Sequence, residues 1–486
     1  MANILHRFFG LEDADDDIYR LAKIMSLLMP VFAITFMLSS TFFMIFVAEA
    51  LGGGDFIQGL GLVGTLVVIS LVVQTLLDYP TGALADYIGQ RFVIASAFLT
   101  YAVTYFLIAM VTSSTPFTLL VLIYALQGFA GSQQSGALSA WFDNNYQSAV
   151  DGDEDRKQYG VFQGRTGMLF QVTSALILIP GSVLAVIWGR AWVFQIQGVM
   201  SIVLVLVVLK VVKDLPGVRE EKRKTGLPSM SEYTDLLKGG VSYLFKEPWV
   251  KYVIIGSTLA GSTIMVYGNL ILFPLYFSYL ITDVAVSSFR TVLFVPGVVT
   301  GERSGIWSRR FEPKKWIPRF RFLQAAGFVF YLLFAGMMYF FPPPVGPSPA
   351  IDLVIPFTSF ILMSVPLASI IPMIIMVVTY TITLMFAAFA GILTQREMID
   401  VIPNEIRNSM YSLQPTIAML FAIPQIGLFG WLIPVIGFPT TLVIIGFVSL
   451  MGVLIIRHGL NQPKPVMAKK DVAKKEAAVE TVEVTE

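Results

Sequence analysis

Cysteine is missing from all 486 residues, which excludes disulfides, thiolate metal sites and thiol nucleophiles. Histidine is nearly missing too: His6 and His458 flank the apolar part of the chain, so no imidazole cluster for metal or catalysis is expected. Charged residues make up only 13%, and 33 Lys and Arg almost cancel 32 Asp and Glu, so the net charge of +1 gives no argument for a nucleic-acid partner and none is expected. No G-x-x-x-x-G-K-S/T phosphate loop occurs, which argues against direct ATP drive. D-G-D-E-D at Asp151 to Asp155 departs from a calcium loop, with Arg156 at the glycine position and Phe162 at the twelfth. Asp13, Asp15, Asp16 and Asp17 stand where a signal peptide would be basic, so no cleaved signal is expected. Nucleophile, base and orienting group do not recur in any enzyme pattern, and neither cofactor nor metal is expected.

Apolar surface is what the chain has in excess: 56% of residues are hydrophobic and the mean hydropathy is +0.74, more than a water-soluble globule can hide. Runs near the ~20 residues that cross hydrocarbon recur along the whole chain, and the alternation of a membrane barrel is missing. The spacing predicts spans near 25–48, 57–80, 92–111, 117–142, 160–187 and 191–212, then 252–280, 284–302, 318–341, 369–395, 408–433 and 438–457. That is an all-α membrane protein of twelve transmembrane helices in two pseudo-symmetric six-helix bundles.

The expected organisation is an N-terminal segment 1–24, a first bundle 25–212, a linker 213–250, a second bundle 251–457 and a disordered tail 458–486. Within the linker, S-E-Y-T-D-L-L-K-G-G-V-S-Y-L-F-K suits either a helix lying on the membrane surface or a solvated connector. Eight Lys and Arg fall in 213–251 and seven in 303–321, against Arg190 alone in the opposite loops. The positive-inside rule therefore puts both termini in the cytoplasm of a cell membrane. Leu353 to Thr394 carries no charge and exceeds one span, so 342–368 reads as an insertion, a Pro-broken apolar cap over the outer cavity mouth or an interfacial loop.

D-Y-P-T-G-A-L-A-D-Y-I-G-Q-R, Asp78 to Arg91, is the most informative segment. A degenerate copy, G-I-W-S-R-R-F-E-P-K, starts at Gly305, 223 residues after Gly82. D-R-K-Q-Y-G from Asp155 is echoed by E-I-R-N-S-M from Glu405 at an offset of 250, and the 27-residue difference between the offsets is the length of 342–368. The chain thus reads as two related halves with an insertion in the second. Gly82 and Gly89 would permit a tight turn, and Asp86 can satisfy free N–H groups at the positive end of a helix.

With Gly82, Leu84, Ala85, Asp86, Gly89 and Arg91 in place, this segment resembles the signature loop of the major facilitator superfamily, approximately G-x-L-A-D-x-x-G-x-R/K. The resemblance extends over nearly the whole chain, and S-G-A-L-S-A-W-F-D at Ser135 to Asp143, with P-T-G ahead of the signature, is similar to efflux-type permeases of prokaryotes. It implies a monomer in the lipid bilayer that moves a small-molecule substrate, with or without a coupling ion, by alternating access. It also implies a conformational latch in which Asp86, with Gly82, Gly89 and Arg91, engages Arg407 and Asn408 when the cytoplasmic side is closed. The chain departs from the pattern in two places: Arg309 stands at the Asp86 position of the second copy, and the antiporter motif R-x-x-Q-G reads Y-A-L-Q-G at Tyr124 to Gly128.

Deep carboxylates are missing from the spans expected to line a cavity, which weakens proton antiport. Asp78, Asp143 and Glu302 stand near cytoplasmic ends, where gate salt bridges are expected, and Glu49 near the outer end. Arg165 and Arg290 lie inside spans, where insertion costs about 2.5–3.5 kcal/mol at mid-membrane, so each needs a partner or a wet cavity. Arg165 is expected to be neutralised by Asp143 or Asp78; Arg290 either contacts an anionic or polar substrate or pairs with Asp283. Helices 1, 4, 7 and 10, which line the cavity in the family, offer Gln127, Gln133, Gln134, Tyr267 and Asn269, together with Ser39, Ser40 and Thr41. Gln133 and Gln134 diverge by about 100°, so only one can point fully into the cavity. Asn269 either binds substrate or bridges helices, helix 7 is free to bend at Pro274, and the abundant phenylalanines are assigned to lipid and core. The leading expectation is export of a small organic molecule by secondary transport; uptake or facilitated diffusion of a polar anion, and a non-transporting receptor of the same fold, are the alternatives.

Overall fold

The computed structural model describes residues 8–9, 16–134, 137–149, 157–215, 218, 230–309, 312, 315–316, 319, 323, 326–346, 348–357, 359–399, 401–402 and 404–465. In the first half, α1 (Asp16–Met37) and α2 (Phe43–Leu51) are separated by turns at 38–42, and α3 (Phe56–Ile88), α4 (Gln90–Ile108), α5 (Phe117–Gln134), α6 (Ala137–Ala149), α7 (Lys157–Trp188) and α8 (Arg190–Val211) follow. The helix α9 (Met230–Lys246) leads into the second half. There α10 (Pro248–Val266) passes through a π-helical turn, Tyr267–Ile271, into α11 (Leu272–Leu280), followed by α12 (Asp283–Arg309), α13 (Ala326–Phe340), α14 (Leu367–Ile399) and α15 (Asn404–Leu460). Among the described residues, eight helical runs are long and apolar enough to cross a membrane. Large apolar side chains such as Leu76, Leu176, Leu206, Leu420 and Val435 are exposed along them, as lipid contact requires. The chain is a multi-pass membrane protein.

Local chemistry sets where these helices break. Gly89, at φ 100°, ends α3 and begins α4, and Gly437, at φ 76°, interrupts α15 just before Pro439. The signature is otherwise helical to Ile88, and an added Cβ on Gly82 would meet nothing within 4 Å. The expected turn therefore belongs to Gly89 alone. In α10–α11 the irregular turn lies one turn ahead of Pro274, whose ring clashes with the carbonyl four residues back and whose nitrogen cannot donate.

Within 342–368, where an insertion is expected, lies an antiparallel hairpin, β1 (Ala350–Val354) with β2 (Ile361–Pro366). Met363 and Val365 pack against the core, and the Leu367 amide donates to the Pro349 carbonyl. The helix α9 docks rather than floating: Leu244 is buried beside Trp249 and Val401, and the Tyr243 hydroxyl donates to the Val401 carbonyl at 2.7 Å. Burial, and then the Glu247 carboxylate, push the Tyr243 phenol up.

Helices cross tightly where side chains are small. An added Cβ on Gly64 would stand 3.2 Å from Gly430 Cα, so α3 and α15 meet almost backbone to backbone. The core is organised unevenly. At the end that carries Arg190, one apolar cluster runs through both halves, joining Phe42, Val63 and Phe194 to Tyr276, Ile426 and Phe429. Toward the opposite end it is replaced by separate clusters, one built around Met25, Phe98 and Trp141, another around Trp249, Met398 and Met410, and a smaller one at Leu323, Ala390 and Leu393.

Candidate functional site

A cavity of about 480 Å³ lies between the halves. Its wall is formed by Phe36, Ser39, Ser40, Phe43 and Met44 at the α1–α2 junction, Val67, Ser70, Leu71 and Gln74 on α3, and Tyr101 and Tyr105 on α4. Tyr124, Gln127, Gly131 and Gln134 on α5 and Gly268, Asn269 and Phe273 from the second half complete it. Among the described lining residues none is charged. Two of the contributing segments are irregular: the turns at 38–42 and the π-helical turn, a feature that recurs at functional sites because it redirects side chains and carbonyls. The first break sits against α7 at Gly181, where an added Cβ would fall 1.9 Å from the Leu38 carbonyl oxygen.

The residues singled out from sequence divide between this wall and the layers behind it. Gln127, Gln134 and Asn269 line the cavity, and Asn269 Nδ2 donates to the Met265 carbonyl at 2.9 Å. Gln133 turns away and donates to Ser96 Oγ on α4 at 3.2 Å. Tyr267 is buried with its hydroxyl 3.0 Å from that of Tyr276 and does not reach the wall. Arg290 stands behind the wall as well: its guanidinium lies 4.8 Å from the Phe294 ring and 5.9 Å from the ring of Phe273, which does face the cavity.

Asp283 does not pair with Arg290. Arg190 donates from Nε and Nη2 to the two oxygens of Asp283, each at 2.8 Å, and from Nη1 to Glu49 at 2.6 Å. Two acids on either side of one planar guanidinium make a fork that spans the two halves. Beneath it the Thr41, Ser182 and Ser287 hydroxyls meet across the halves, Thr291 donates to the Ala175 carbonyl at 2.9 Å, and Trp431 Nε1 approaches Thr65 Oγ1 at 3.3 Å. These contacts join the halves at this end.

At the opposite end Arg165 is exposed, with its guanidinium 5.6 Å from the Phe8 ring, and it pairs with neither Asp143 nor Asp78. The extended, accessible position lets solvent satisfy the charge that the sequence assigns to a carboxylate partner. Asp78 is exposed and Asp143 half-buried. Arg91 lies over the Phe92 ring at 4.4 Å. The side chains of Asp86, Glu302 and Arg407 lie outside the described ones.

Sequence reasoning passes over much of the wall. Gln74, Tyr101, Tyr105 and Tyr124 are lining residues. The available signal is polar groups recurring at i and i+4 or i+7 inside otherwise apolar spans, as in Tyr101 and Tyr105 or Gln127 and Gln134. Assigning every phenylalanine to lipid and core likewise overlooks Phe36, Phe43 and Phe273 on the wall.

No curated protein matches the sequence. Among solved structures, the nucleoside transporter NupG shares the fold with a TM-score of 0.61 at 13% identity, covering 92% of this chain and 100% of that one. A point variant of NupG gives 0.62 at 14% identity, over 90% and 99% of the two chains. The description of the Major Facilitator Superfamily matches residues 24–348, well over half the sequence. With that match across both halves of the signature-bearing fold, the chain belongs to the major facilitator superfamily.

Proposed function

We propose that this transporter carries a small organic molecule across a cell membrane by alternating access of the central cavity, and that the structure represents the state closed on the outer side. The carrying observation is the core: it is continuous between the halves at the Arg190 end and divided at the other, with the cavity between. Twelve spans follow if α1–α2, α5–α6 and α10–α11 each count once and α15 is divided at Gly437. The charge bias puts the Arg190 end outside and both termini in the cytoplasm.

In this reading Asp86, Gly89, Arg91 and Arg407 close the cytoplasmic side when the Arg190 bridge opens, with Asp78, Asp143 and Glu302 as further gate charges. A wall without a carboxylate among its described residues supports movement down the substrate's own gradient, and the similarity around Ser135 to Asp143 favours export of a solute made inside the cell. NupG carries nucleosides, which adds neutral organic solutes to the candidates. A polar-anion permease is the second reading, carried by Arg290, which has no carboxylate partner among the described residues and lies 5.9 Å from the ring of Phe273, a lining residue of the cavity.

The test is solute exchange in proteoliposomes with Asp86→Asn beside the parent. The variant should insert at parental abundance and exchange solute several-fold more slowly; parental flux would remove Asp86 from the mechanism. Absence of exchange by the parent across neutral, anionic and cationic solutes would instead favour the receptor reading.

A further inference from the structure

The wall of the cavity carries hydrogen-bonding groups that no protein atom uses. Gln127 and Gln134 lie seven residues apart on α5, so they face the same way, about 10 Å apart along the axis. Gly131 stands between them and leaves a gap, which Gln74 of α3 meets from the facing side, 3.2 Å from where a Cβ would lie. All three carboxamides are half-buried, line the cavity, and make no hydrogen bond to a described residue. Asn269 spends its amino group on Met265 and keeps its oxygen. The phenols of Tyr101, Tyr105 and Tyr124 also line the cavity without a hydrogen-bond partner among the described residues, on side chains that are mostly buried.

Half-buried amides left without protein partners are costly unless something else bonds them, and water or a ligand is what the cavity can hold. Each carboxamide offers a donor and an acceptor side by side, the complement of a lactam, amidine or amide edge. Such pairing is the means by which Gln reads a purine edge. Aromatic faces surround these amides: Phe36 and Tyr101 pack edge to face at 4.8 Å, and Phe43 lies 6.2 Å from Tyr124. Phenyl and phenol faces accept a flat ring. An ion would find no countercharge among the described lining residues, so its desolvation would go unopposed.

Resting on the transporter reading above, we infer that the cavity selects an uncharged, planar heterocycle with adjacent donor and acceptor groups, read by Gln127, Gln134 and Gln74 and stacked among the tyrosines. Because such a solute is neutral and the described wall residues include no ionisable acid or base other than phenols, its flux is independent of membrane potential.

The experiment uses the purified full chain in detergent and in liposomes, with uracil, adenine and uridine as probes against glucose, benzoate and tetraphenylphosphonium. Titration calorimetry should give binding to the heterocycles alone, and Gln127→Leu and Gln134→Leu should each weaken it about ten-fold, the discrimination expected of one good bidentate pair. Gln127→Asn, which keeps the amide, should recover part of that loss, and an unchanged melting temperature in each variant separates lost recognition from lost folding. In liposomes, uptake of the bound heterocycle should be unaffected by an imposed potassium-diffusion potential. Binding of benzoate or tetraphenylphosphonium in preference, absence of heterocycle binding, or heterocycle binding indifferent to both leucine variants would overturn the inference. Glutamine-dependent binding without flux would leave it standing and sink the transporter reading; potential-driven flux of an ion would do the reverse.

Discussion

Replacing Asp283 with Asn should loosen the outer closure. Arg190 and Glu49 belong to the first half, so only the fork to Asp283, at 2.8 Å from both Nε and Nη2, ties this cluster across the halves. Asp283 is 8% and Arg190 17% exposed, so water screens the pair only partly. Two unit charges 4 Å apart at an effective dielectric near 20 attract by about 4 kcal/mol, and part of this is offset by the desolvation of both ions. Asn keeps the shape and one acceptor, so the net loss is about 2 kcal/mol, within the usual range for a charged hydrogen bond. That shifts the closed-to-open ratio at this end about thirty-fold. The absence of native cysteine makes the assay direct. Ser39→Cys places one thiol on the cavity wall, and a membrane-impermeant maleimide added from outside reports access to it. Labelling should accelerate by about ten- to thirty-fold in Asp283→Asn. Glu49→Gln should have a much smaller effect because it leaves the inter-half fork intact. Equal labelling of Asp283→Asn and its parent would refute the claim that this bridge holds the outer end shut.

Gly181→Ala should lower the melting temperature or abolish expression, because its Cβ would overlap the Leu38 carbonyl, 1.9 Å away, where overpacking costs about 1–3 kcal/mol or more. Gly82→Ala, with open space around it, should leave the melting temperature unchanged or raise it, since Ala is the better helix former by about 1 kcal/mol. Tyr243→Phe removes the bond to the Val401 carbonyl, a loss of about 0.5–1.5 kcal/mol, and should speed limited proteolysis of α9 without changing the span helices. Arg290→Gln should leave the affinity for a neutral solute unchanged by calorimetry, because its guanidinium sits behind Phe273; a large loss would restore the anion reading.

The membrane class is legible because hydrocarbon thickness imposes a length on every span and removes charge from it. The family is legible because Gly82 to Arg91 is a local pattern. What the sequence hides is contact between distant positions. Arg190 meets Asp283 across 93 residues and Glu49 across 141, and no periodicity links them. The hairpin at 350–366 escapes a strand reading because A-I-D-L-V and I-L-M-S-V-P are apolar at nearly every position, and strand alternation disappears when both faces are apolar. The cavity candidates are legible only in part. Gln127 and Gln134 share a helical face that arithmetic can find, whereas the burial of Tyr267, in contact with Tyr276 at the start of the π-helical turn, is a tertiary contact that no helical period marks.

The uneven wall constrains how such a carrier can work. Among the described lining residues, only Gly268, Asn269 and Phe273 come from the second half, so most of the described contacts with a bound solute travel with the first. A ligand shifts a conformational equilibrium only by its difference in affinity between the two states. A solute held chiefly by one half keeps most of its contacts as the other half rocks, and so neither state becomes a trap. The described second-half contacts are carried by the π-helical turn and by the start of α11 that follows it. Irregularity there allows Asn269 and Phe273 to meet the solute without committing the rest of the bundle. In the proposed cycle the Arg190 fork and the shared apolar core meet the opposing requirement, an end that stays shut until the second half moves as a unit.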